Sequence, residues 1–449
     1  MKFIQTLKNI WTIQELRQRL TITVLLVLVY RLGCYVVLPG INPADLEAMT
    51  NFTNKTGLMQ LLDMFSGGAF SQASIFALGI MPYITASIVI QLAGMVLPSF
   101  QKMQREGESG RQKLNQYTRY LTVLILLVQG PAYLYNLRAQ IVNAGGTSDM
   151  GFWMVVFLTI VLAAGSMFIM WLGERITDRG IGNGISFIIL VGIIARLPMA
   201  LFYEFTSRLP GSTGNQGGLI MFIVEIVLLF AVTIGAVLLV QGTRKVPVQY
   251  AKRVVGNKQV GGVRQYIPLK VNAAGVMPII FAQAIMFIPL TLSGFGAREG
   301  ATGFFATFAD INGFWYNFVY FILIVAFTYF YTAITVRPTQ MAEDMKRNNG
   351  FIPGVKPGKK TAEYLDSIMS RITLPGSIFL GIVAILPAFA RLFGISQNFA
   401  QFFGGTSLLI MVGVVLDTLQ QIESHLMMHH YDGLMKDGKI KGRTTGSAY

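Results

Sequence analysis

Residues 218–245 read GLIMFIVEIVLLFAVTIGAVLLVQGTRK, a long apolar stretch that ends in a basic cluster, and this pattern repeats along the chain. A helix needs about 20 residues to cross the ~30 Å hydrocarbon core of a bilayer, and the apolar part of this segment meets that length. Ten such stretches occur, at about 20–38, 75–97, 118–137, 152–172, 183–203, 218–241, 273–293, 313–335, 372–393 and 404–424. The sequence therefore predicts an all-α integral membrane protein with ten transmembrane helices.

Basic residues are concentrated at the two ends of the chain and in every second gap between the apolar stretches. These regions hold 28 of the 36 Lys and Arg residues and include the gaps 98–116, 173–182, 242–272 and 336–371. The alternate gaps contain only Lys55, Arg138, Arg208, Arg298 and Arg391. The positive-inside rule then predicts that both termini are cytoplasmic. Orientation accounts for much of the net charge of +15, so nucleic-acid binding is not required to explain it.

The composition indicates a membrane protein without a catalytic centre. Hydrophobic residues make up 53% of the chain and charged residues 13%, against about a quarter charged in a soluble domain. The single cysteine, Cys34, excludes an intrachain disulfide. His425 and His429 have metal-ligand spacing, but no nearby acidic or thiol group completes a convincing ligand set, and residues 354–361 depart from the phosphate-binding loop pattern. We therefore expect no enzyme activity, no metal and no cofactor.

Two gaps are longer than a connection between helices requires. Residues 242–272 contain seven basic and no acidic residues, and their alternating pattern around Gly256-Asn257 and Gly261-Gly262 predicts a twisted hairpin. Residues 336–371 contain seven basic and four acidic residues. Such projections favour docking of RNA phosphates or of an acidic protein face. A solvated loop that only orients the chain is the alternative.

A further apolar segment, GLMQLLDMFSGGAFSQAS at 57–74, is too short to span a membrane and is interrupted by Ser66-Gly67-Gly68. Lipid cannot satisfy an interrupted backbone, so the segment must fold back into protein or line a cavity. A re-entrant half helix in a funnel is the expected placement. In the next stretch, Ser87 and Gln91 are four residues apart and give a membrane helix a polar face.

Six motifs resemble the SecY family, the central subunits of bacterial protein-translocation channels, which are related to Sec61 α subunits. They follow one another in the order and spacing typical of that family, and the resemblance covers essentially the whole chain. They are MFSGGAFSQASIFALGIMPYITASIVIQL (64–92), EGESGRQKLNQYTRY (106–120), MWLGERITDRGIGNGIS (170–186), PLKVNAAGVMP (268–278), FIPGVKPGKKTAEYLD (351–366) and FGGTSLLI (403–410).

The resemblance implies two pseudo-symmetric five-helix halves, 1–203 and 204–449, with an hourglass pore between them. It implies an apolar pore ring at Ile80, Ile84, Ile185, Ile189, Ile280 and Ile410. A constriction of this kind dewets and blocks ions, yet yields around a polypeptide. It also implies a mobile plug at about 58–74, including Leu58, Leu61, Leu62, Asp63, Met64, Phe65, Ser66, Gly67 and Gly68. Asp63 stands where the family commonly has Asn; either it is paired or hydrogen-bonded, or burial holds it protonated.

By the same resemblance, Ser87, Gln91 and Gln283 are candidates for a lateral gate that admits signal sequences and releases transmembrane segments into lipid; ordinary bonding between helices is the alternative. The long loops are expected to dock the SecA motor ATPase and the ribosome. The candidate contacts are Arg244, Lys245, Lys252, Arg253, Lys258, Arg264, Arg337, Lys346, Arg347, Lys356, Lys359 and Lys360. Lys356 replaces the usual Arg of this motif and lacks its bidentate fork.

The resemblance also implies partners and a location. The partners are SecE-type and SecG-type membrane subunits and nascent polypeptides, and the location is the bacterial plasma membrane. Two other classes of protein compete with this interpretation. A ten-helix transporter or ion channel would need coupling groups at mid-membrane, and only Glu225 with Asp417 could serve. A purely structural membrane scaffold does not explain the re-entrant segment.

Overall fold

The computed structural model describes residues 13–41, 63, 65–143, 151–209, 218–250, 253–255, 258–260, 264–283, 285–286 and 313–436. Most of these residues are helical. The first seven helices are α1 (Gln14–Gly33), α2 (Met81–Val96), α3 (Pro98–Arg105), α4 (Glu108–Asn143), α5 (Phe152–Arg179), α6 (Gly184–Ser207) and α7 (Gly218–Gln241). Five further helices are α8 (Phe314–Thr335), α9 (Pro338–Arg347), α10 (Lys359–Leu392), α11 (Gln397–Ala400) and α12 (Gly405–Lys436), and residues 277–283, between α7 and α8, are also helical.

In the described part of the chain, seven helices are long and apolar enough to cross a membrane. The number reaches eight if Met81–Gly94 and Pro98–Gln104, which meet at 102°, form one broken span. Helix α1 is not among them, because its 20 residues include Glu15, Arg17, Arg19 and Arg31. Among the seven, the most apolar window of α7 is only 11% buried and that of α5 is 50% buried. Most of the α7 surface is therefore available to lipid.

The predicted helix at 75–97 is shorter than the apolar run suggests. Residues 75–80 form turns, and α2 begins at Met81. Gly79 adopts a positive φ of 57°, and Pro82 lies at the start of α2, where its missing N–H costs nothing. The helix ends just before Pro98, which disfavours helical geometry in the residue before it. Similarly, residues 271–276 of the predicted span 273–293 form turns and helix follows at 277–283, while 287–293 lie outside the described residues.

The long loops share one small sheet. Strand β1 (Thr243–Tyr250) pairs antiparallel with β4 (Arg264–Lys270), and β5 (Gly350–Phe351) pairs with the other edge of β1. The short strands β2 (Arg253–Val255) and β3 (Lys258–Val260) pair antiparallel with each other in a second sheet. Their pairing confirms the predicted hairpin, while Gly256-Asn257 and Gly261-Gly262 lie outside the described residues. The contribution of 336–371 to the sheet of β1 and β4 was not predicted.

The described residues fall into two compact units. The first contains those up to Arg196 together with those from Val414 onward, and the second contains Leu197–Gly413. In the first, α1 and α2 pack with α4 and α5. In the second, α8 packs along α10, and α10 also contacts α7 and α9. The halves 1–203 and 204–449, implied by resemblance, stay a prediction.

Candidate functional site

The segment that follows Asp63 lies in the first unit and is held by side chains of its helices. The Tyr30 hydroxyl donates to the Ser66 carbonyl at 3.1 Å, and Arg31 Nη1 donates to the Gly67 carbonyl at 2.9 Å. From α4, the Tyr133 hydroxyl donates to the Phe70 carbonyl at 3.0 Å. Protein donors thus satisfy the backbone of a non-helical segment, as a membrane environment requires.

Two backbone bonds fix the far end of this segment. Leu38 N–H donates to the Ala73 carbonyl and Ile75 N–H donates to the Val36 carbonyl, each at 2.9 Å. They flank an antiparallel bridge between Val37 and Ser74. The segment is therefore tied at both ends to the chain around α1.

Asp63 is buried, and both oxygens of its carboxylate have a partner. Its carboxylate forms an ion pair with Arg196 of α6, and Oδ1 accepts the Ser71 N–H at 2.8 Å. Arg196 Nη2 also donates to the Ser71 hydroxyl at 3.0 Å. Of the two alternatives left open by the sequence, pairing with hydrogen bonding is therefore confirmed.

The two glycines of the segment allow a close approach to α6 and to two arginines. Gly67 and Gly68 have φ values of 64° and 96°, which favour glycine. A Cβ on Gly67 would lie 2.8 Å from the Gly192 Cα, and one on Gly68 would lie 3.2 Å from Arg196 Nη2. The glycine pair therefore makes room for neighbours, in addition to interrupting the apolar segment.

The predicted plug is described only in part. Asp63 and Phe65 are helical, residues 66–73 form turns, and the expected half helix does not continue through them. Leu58, Leu61, Leu62 and Met64 lie outside the described residues. The assignment of this segment as a plug stays a prediction.

The six predicted ring residues divide between the units, with Ile80, Ile84, Ile185 and Ile189 in the first and Ile280 and Ile410 in the second. Ile80 precedes α2 instead of lying inside it. Ile80, Ile189 and Ile410 are buried, and the other three are partly exposed. Ile84 and Ile80 lie one turn apart, as do Ile189 and Ile185. The closed ring stays a prediction.

Of the gate candidates, Gln91 Nε2 lies 3.3 Å from the Ser87 hydroxyl, so the predicted shared polar face of α2 is confirmed. Gln283 is partly exposed at the end of the described helical residues 277–283. A role of the three in a gate stays a prediction.

The docking candidates come from two loops that share a hydrophobic cluster in the second unit. Val246, Val248 and Leu269 from the strands pack with Met345, Ile352, Leu365 and Met369. The exposed candidates are Arg244, Lys245, Arg337, Lys346, Arg347, Lys356, Lys359 and Lys360. Lys252 and the side chains of Arg253, Lys258 and Arg264 lie outside the described residues. The sheet, described above, presents both loops on one support.

A second polar cluster lies inside the second unit. The buried Arg208 is bonded to Glu204 at 3.1 Å and to Glu225 at 2.7 Å, and it donates to the Gly394 carbonyl at 2.9 Å. Glu204 Oε2 accepts the Ser396 N–H at 3.1 Å. Glu225, for which sequence reasoning named no partner, thus lies in an ion-pair network.

Asp417, the other candidate for ion coupling, is exposed. Gln421 Nε2 lies 3.3 Å from its Oδ2, and Gln421 Oε1 accepts the Gly182 N–H at 2.9 Å. Among the described residues, no group of three or more His, Cys, Asp or Glu side chains could hold a metal ion.

Sequence reasoning missed several residues that hold these sites together. Arg31 and Arg196 lie within predicted membrane spans, where a charged side chain is costly and therefore informative. That signal could have identified them. Tyr30, Tyr133 and Glu204 give no comparable signal, because their roles depend on contacts between distant segments.

Comparison with known proteins identifies close relatives. The SecY family model matches residues 74–419. The protein translocase subunit SecY of Streptomyces coelicolor is 42% identical over 436 residues, covering 94% of this chain and 97% of that protein. The subunit of the same name from Chlamydia muridarum is 40% identical over 454 residues and covers 98% and 99%.

Solved structures share the fold. One described as a protein conducting channel has a TM-score of 0.62 at 18% identity, and one described as showing that the SecY plug domain stabilizes the closed channel has 0.60 at 18%. Canine Sec61 in a ribosome-channel complex from the endoplasmic reticulum has 0.58 at 17%. In all three cases, 91% of this chain and 92% of the other are covered. At these identities the likeness establishes the fold.

Proposed function

Because this chain belongs to the SecY family, we propose that it forms the protein-conducting channel of a translocase. It is a multi-pass membrane protein, and its relatives are named translocase subunits. The channel passes unfolded polypeptides across the membrane and releases transmembrane segments through a lateral gate. The energy comes from a docked motor ATPase or ribosome.

One observation carries this proposal beyond family membership. Residues 66–70, too short to span, are held by donors from α1 and α4 that bind backbone carbonyls. Bonds to the backbone can be exchanged without unfolding the surrounding helices. This is what a removable seal requires, and a related SecY structure is described as having a plug that maintains a membrane seal.

In the finer proposal, ten helices cross the bacterial plasma membrane with both termini in the cytoplasm, and a plug at about 58–74 closes the pore from outside. The basic residues around the sheet dock SecA or a ribosome; a Sec61 relative is described in a ribosome-channel complex. SecE-type and SecG-type subunits complete the assembly. The chain itself performs no catalysis.

A transporter would require acidic side chains for ion coupling that are not already held in structural contacts. Glu225 is instead paired with Arg208 inside a buried network, and Asp417 is exposed beside Gln421. These contacts favour structural roles for both acids. Flux of small solutes through the purified protein would support the transporter.

A stalled nascent chain tests the proposal directly. A photo-cross-linking amino acid replaces Ile84 or Ile280, and a secretory precursor is arrested during translocation. We expect cross-links from both positions to the precursor. Trp153, an exposed side chain at the start of α5, is the control position, and we expect none from it. Labelling only from Trp153 would contradict a polypeptide path at the ring.

A further inference from the structure

Arg31 and Arg196 converge on the two glycines of the plug segment. Arg31 Nη1 donates to the Gly67 carbonyl at 2.9 Å, and the guanidinium of Arg196 lies over Gly68 while it pairs with Asp63. The two arginines belong to different helices, α1 and α6. Sequence reasoning assigned neither of them a role.

Among the residues that the structure describes, the charges at this place do not balance. Asp63 brings one negative charge to two positive charges, and the two guanidinium groups lie against neighbouring glycines, Gly67 and Gly68, so they repel each other. The Tyr35 ring lies 5.7 Å from the Arg31 guanidinium carbon and gives it a cation–π contact. When the segment leaves, the two like charges lose their carboxylate and a carbonyl acceptor. An anion that replaces them is then favoured by the field of both arginines.

The arginines are placed so that an incoming group can reach them. The Arg196 side chain is 37% exposed even with the segment in place, whereas that of Asp63 is 9% exposed. Gly67 and Gly68 have no side chains that shield the guanidinium groups. Departure of the segment therefore uncovers both donors without a rearrangement of their helices.

We propose that Arg31 and Arg196 form an anion-accepting seat. When the plug is closed, Asp63 pairs with Arg196 and the Gly67 carbonyl accepts from Arg31; when the plug is displaced, an acidic side chain of the translocating polypeptide takes their place. This inference rests on the proposed function as a protein-conducting channel. It makes the two arginines specificity-determining residues: early acidic residues in the polypeptide compete with Asp63 and promote opening.

Membrane vesicles that contain the assembled translocase test the seat. Two precursors carry the same signal sequence and differ only in a short run of Glu or Gln at the start of the mature part. The initial rate of protease protection is measured for each. With the wild-type chain, we expect the Glu precursor to become protected about threefold faster than the Gln precursor. A ratio of this size is what one partly exposed ion pair contributes.

The variants separate the charge from the packing. Arg196→Gln and the double variant Arg31→Gln with Arg196→Gln should bring the rate ratio to one, because general loosening of the plug affects both precursors equally. Arg196→Lys should keep the ratio, as should Arg175→Gln, which removes a positive charge elsewhere in the same unit.

Two results overturn the seat: equal rates with the wild-type chain, or a preference for Glu that persists in the double variant. If neither precursor becomes protected from protease with the wild-type chain or with any variant, although the translocase is assembled, the proposed function is wrong. The proposal for the two arginines then fails with it.

Discussion

Three of the bonds that hold the proposed plug segment act through its backbone, and together with the Asp63–Arg196 ion pair they set how readily it can leave. Net contributions are about 1 kcal/mol for a neutral hydrogen bond and about 1.5–3 kcal/mol for one with a charged partner. Tyr30, Tyr133 and Arg31 therefore contribute a few kcal/mol in total. This is enough to keep the segment seated in a resting channel. It is also within the range that a binding polypeptide can offset.

Gly67→Ala tests the close contact with α6. Its Cβ would lie 2.8 Å from the Gly192 Cα and would add strain at φ 64°. We expect the segment to be displaced and ion leakage through resting channels in planar bilayers to rise severalfold.

Gly107→Ala is the matched control for this substitution. Gly107 also has a positive φ, 75°, but nothing lies within 4 Å of its Cβ position. It carries similar backbone strain without the contact, and we expect no change in conductance. Equal leakage from the two variants would show that backbone strain alone, and not the contact with α6, explains the effect.

Single residues show why sequence reasoning succeeded in part. Asp63 was identified as a charge that needs compensation, because a buried carboxylate is costly anywhere in a fold. Its partner Arg196 is 133 positions away on another helix, and apolar periodicity carries no information about such pairs. The Ser-Gly-Gly signal had the same limit: it indicates an unusual backbone, and only packing shows what approaches it.

Among the elements, α6, α7 and the turn after α10 are joined by Arg208. The guanidinium pairs with Glu204 and Glu225 and with the Gly394 carbonyl, and all three charged side chains are buried. Glu225 Oε2 has no hydrogen-bond partner within the described residues, so the network already bears one uncompensated polar atom. Loss of the cation would leave two buried carboxylates together.

Arg208→Met should therefore destabilise the chain by about 3–5 kcal/mol, the cost of breaking a buried ion pair from one side. The thermal unfolding midpoint of the purified protein in detergent measures this. Arg119→Met is the control, because its ion pair with Glu174 is partly exposed and is worth about 1 kcal/mol. Similar shifts for the two variants would contradict a role of the network in holding these elements.

The two long basic loops are joined by strand pairing, because β5 from one loop pairs with β1 from the other. Lys356 lies exposed in the turn between β5 and α10, and the Thr361 hydroxyl donates to its carbonyl at 3.0 Å. A fixed backbone and an exposed ammonium group suit the proposed contact with an acidic face of the motor. Lys lacks the bidentate geometry of the usual Arg, so charge carries most of its contribution.

Lys356→Glu should reduce ATP-driven translocation several-fold while membrane insertion changes less, because only the first process needs the motor. Both are measured in the same vesicles. Lys113→Glu reverses an exposed charge in a different basic gap and serves as the control. Equal losses in the two assays would argue against a contact specific to the motor.

For the whole molecule, the alternation of apolar stretches and basic gaps predicted the class of fold, because lipid imposes the same requirement on every span. Helix ends were predicted less well. Pro82 and Gly79 delay the start of α2, and Gly275 with Pro278 delays the helix at 277–283, although hydropathy is continuous through both. The sheet and the arginine seat depend on pairing between distant segments, which hydropathy does not encode.

The six residues of the proposed pore ring come from both units, so a test of the ring is a test of the whole chain. A narrow apolar constriction excludes ions by dewetting. Substituting Gly for Ile84, Ile189 and Ile280 together should raise the conductance of resting channels, measured in planar bilayers without a precursor. The matched control substitutes Gly for Ile188, Ile193 and Ile279, buried apolar residues outside the ring with a comparable cost in helix propensity. If the control variant conducts as well as the ring variant, loss of helix stability explains the leak and these isoleucines do not form the barrier.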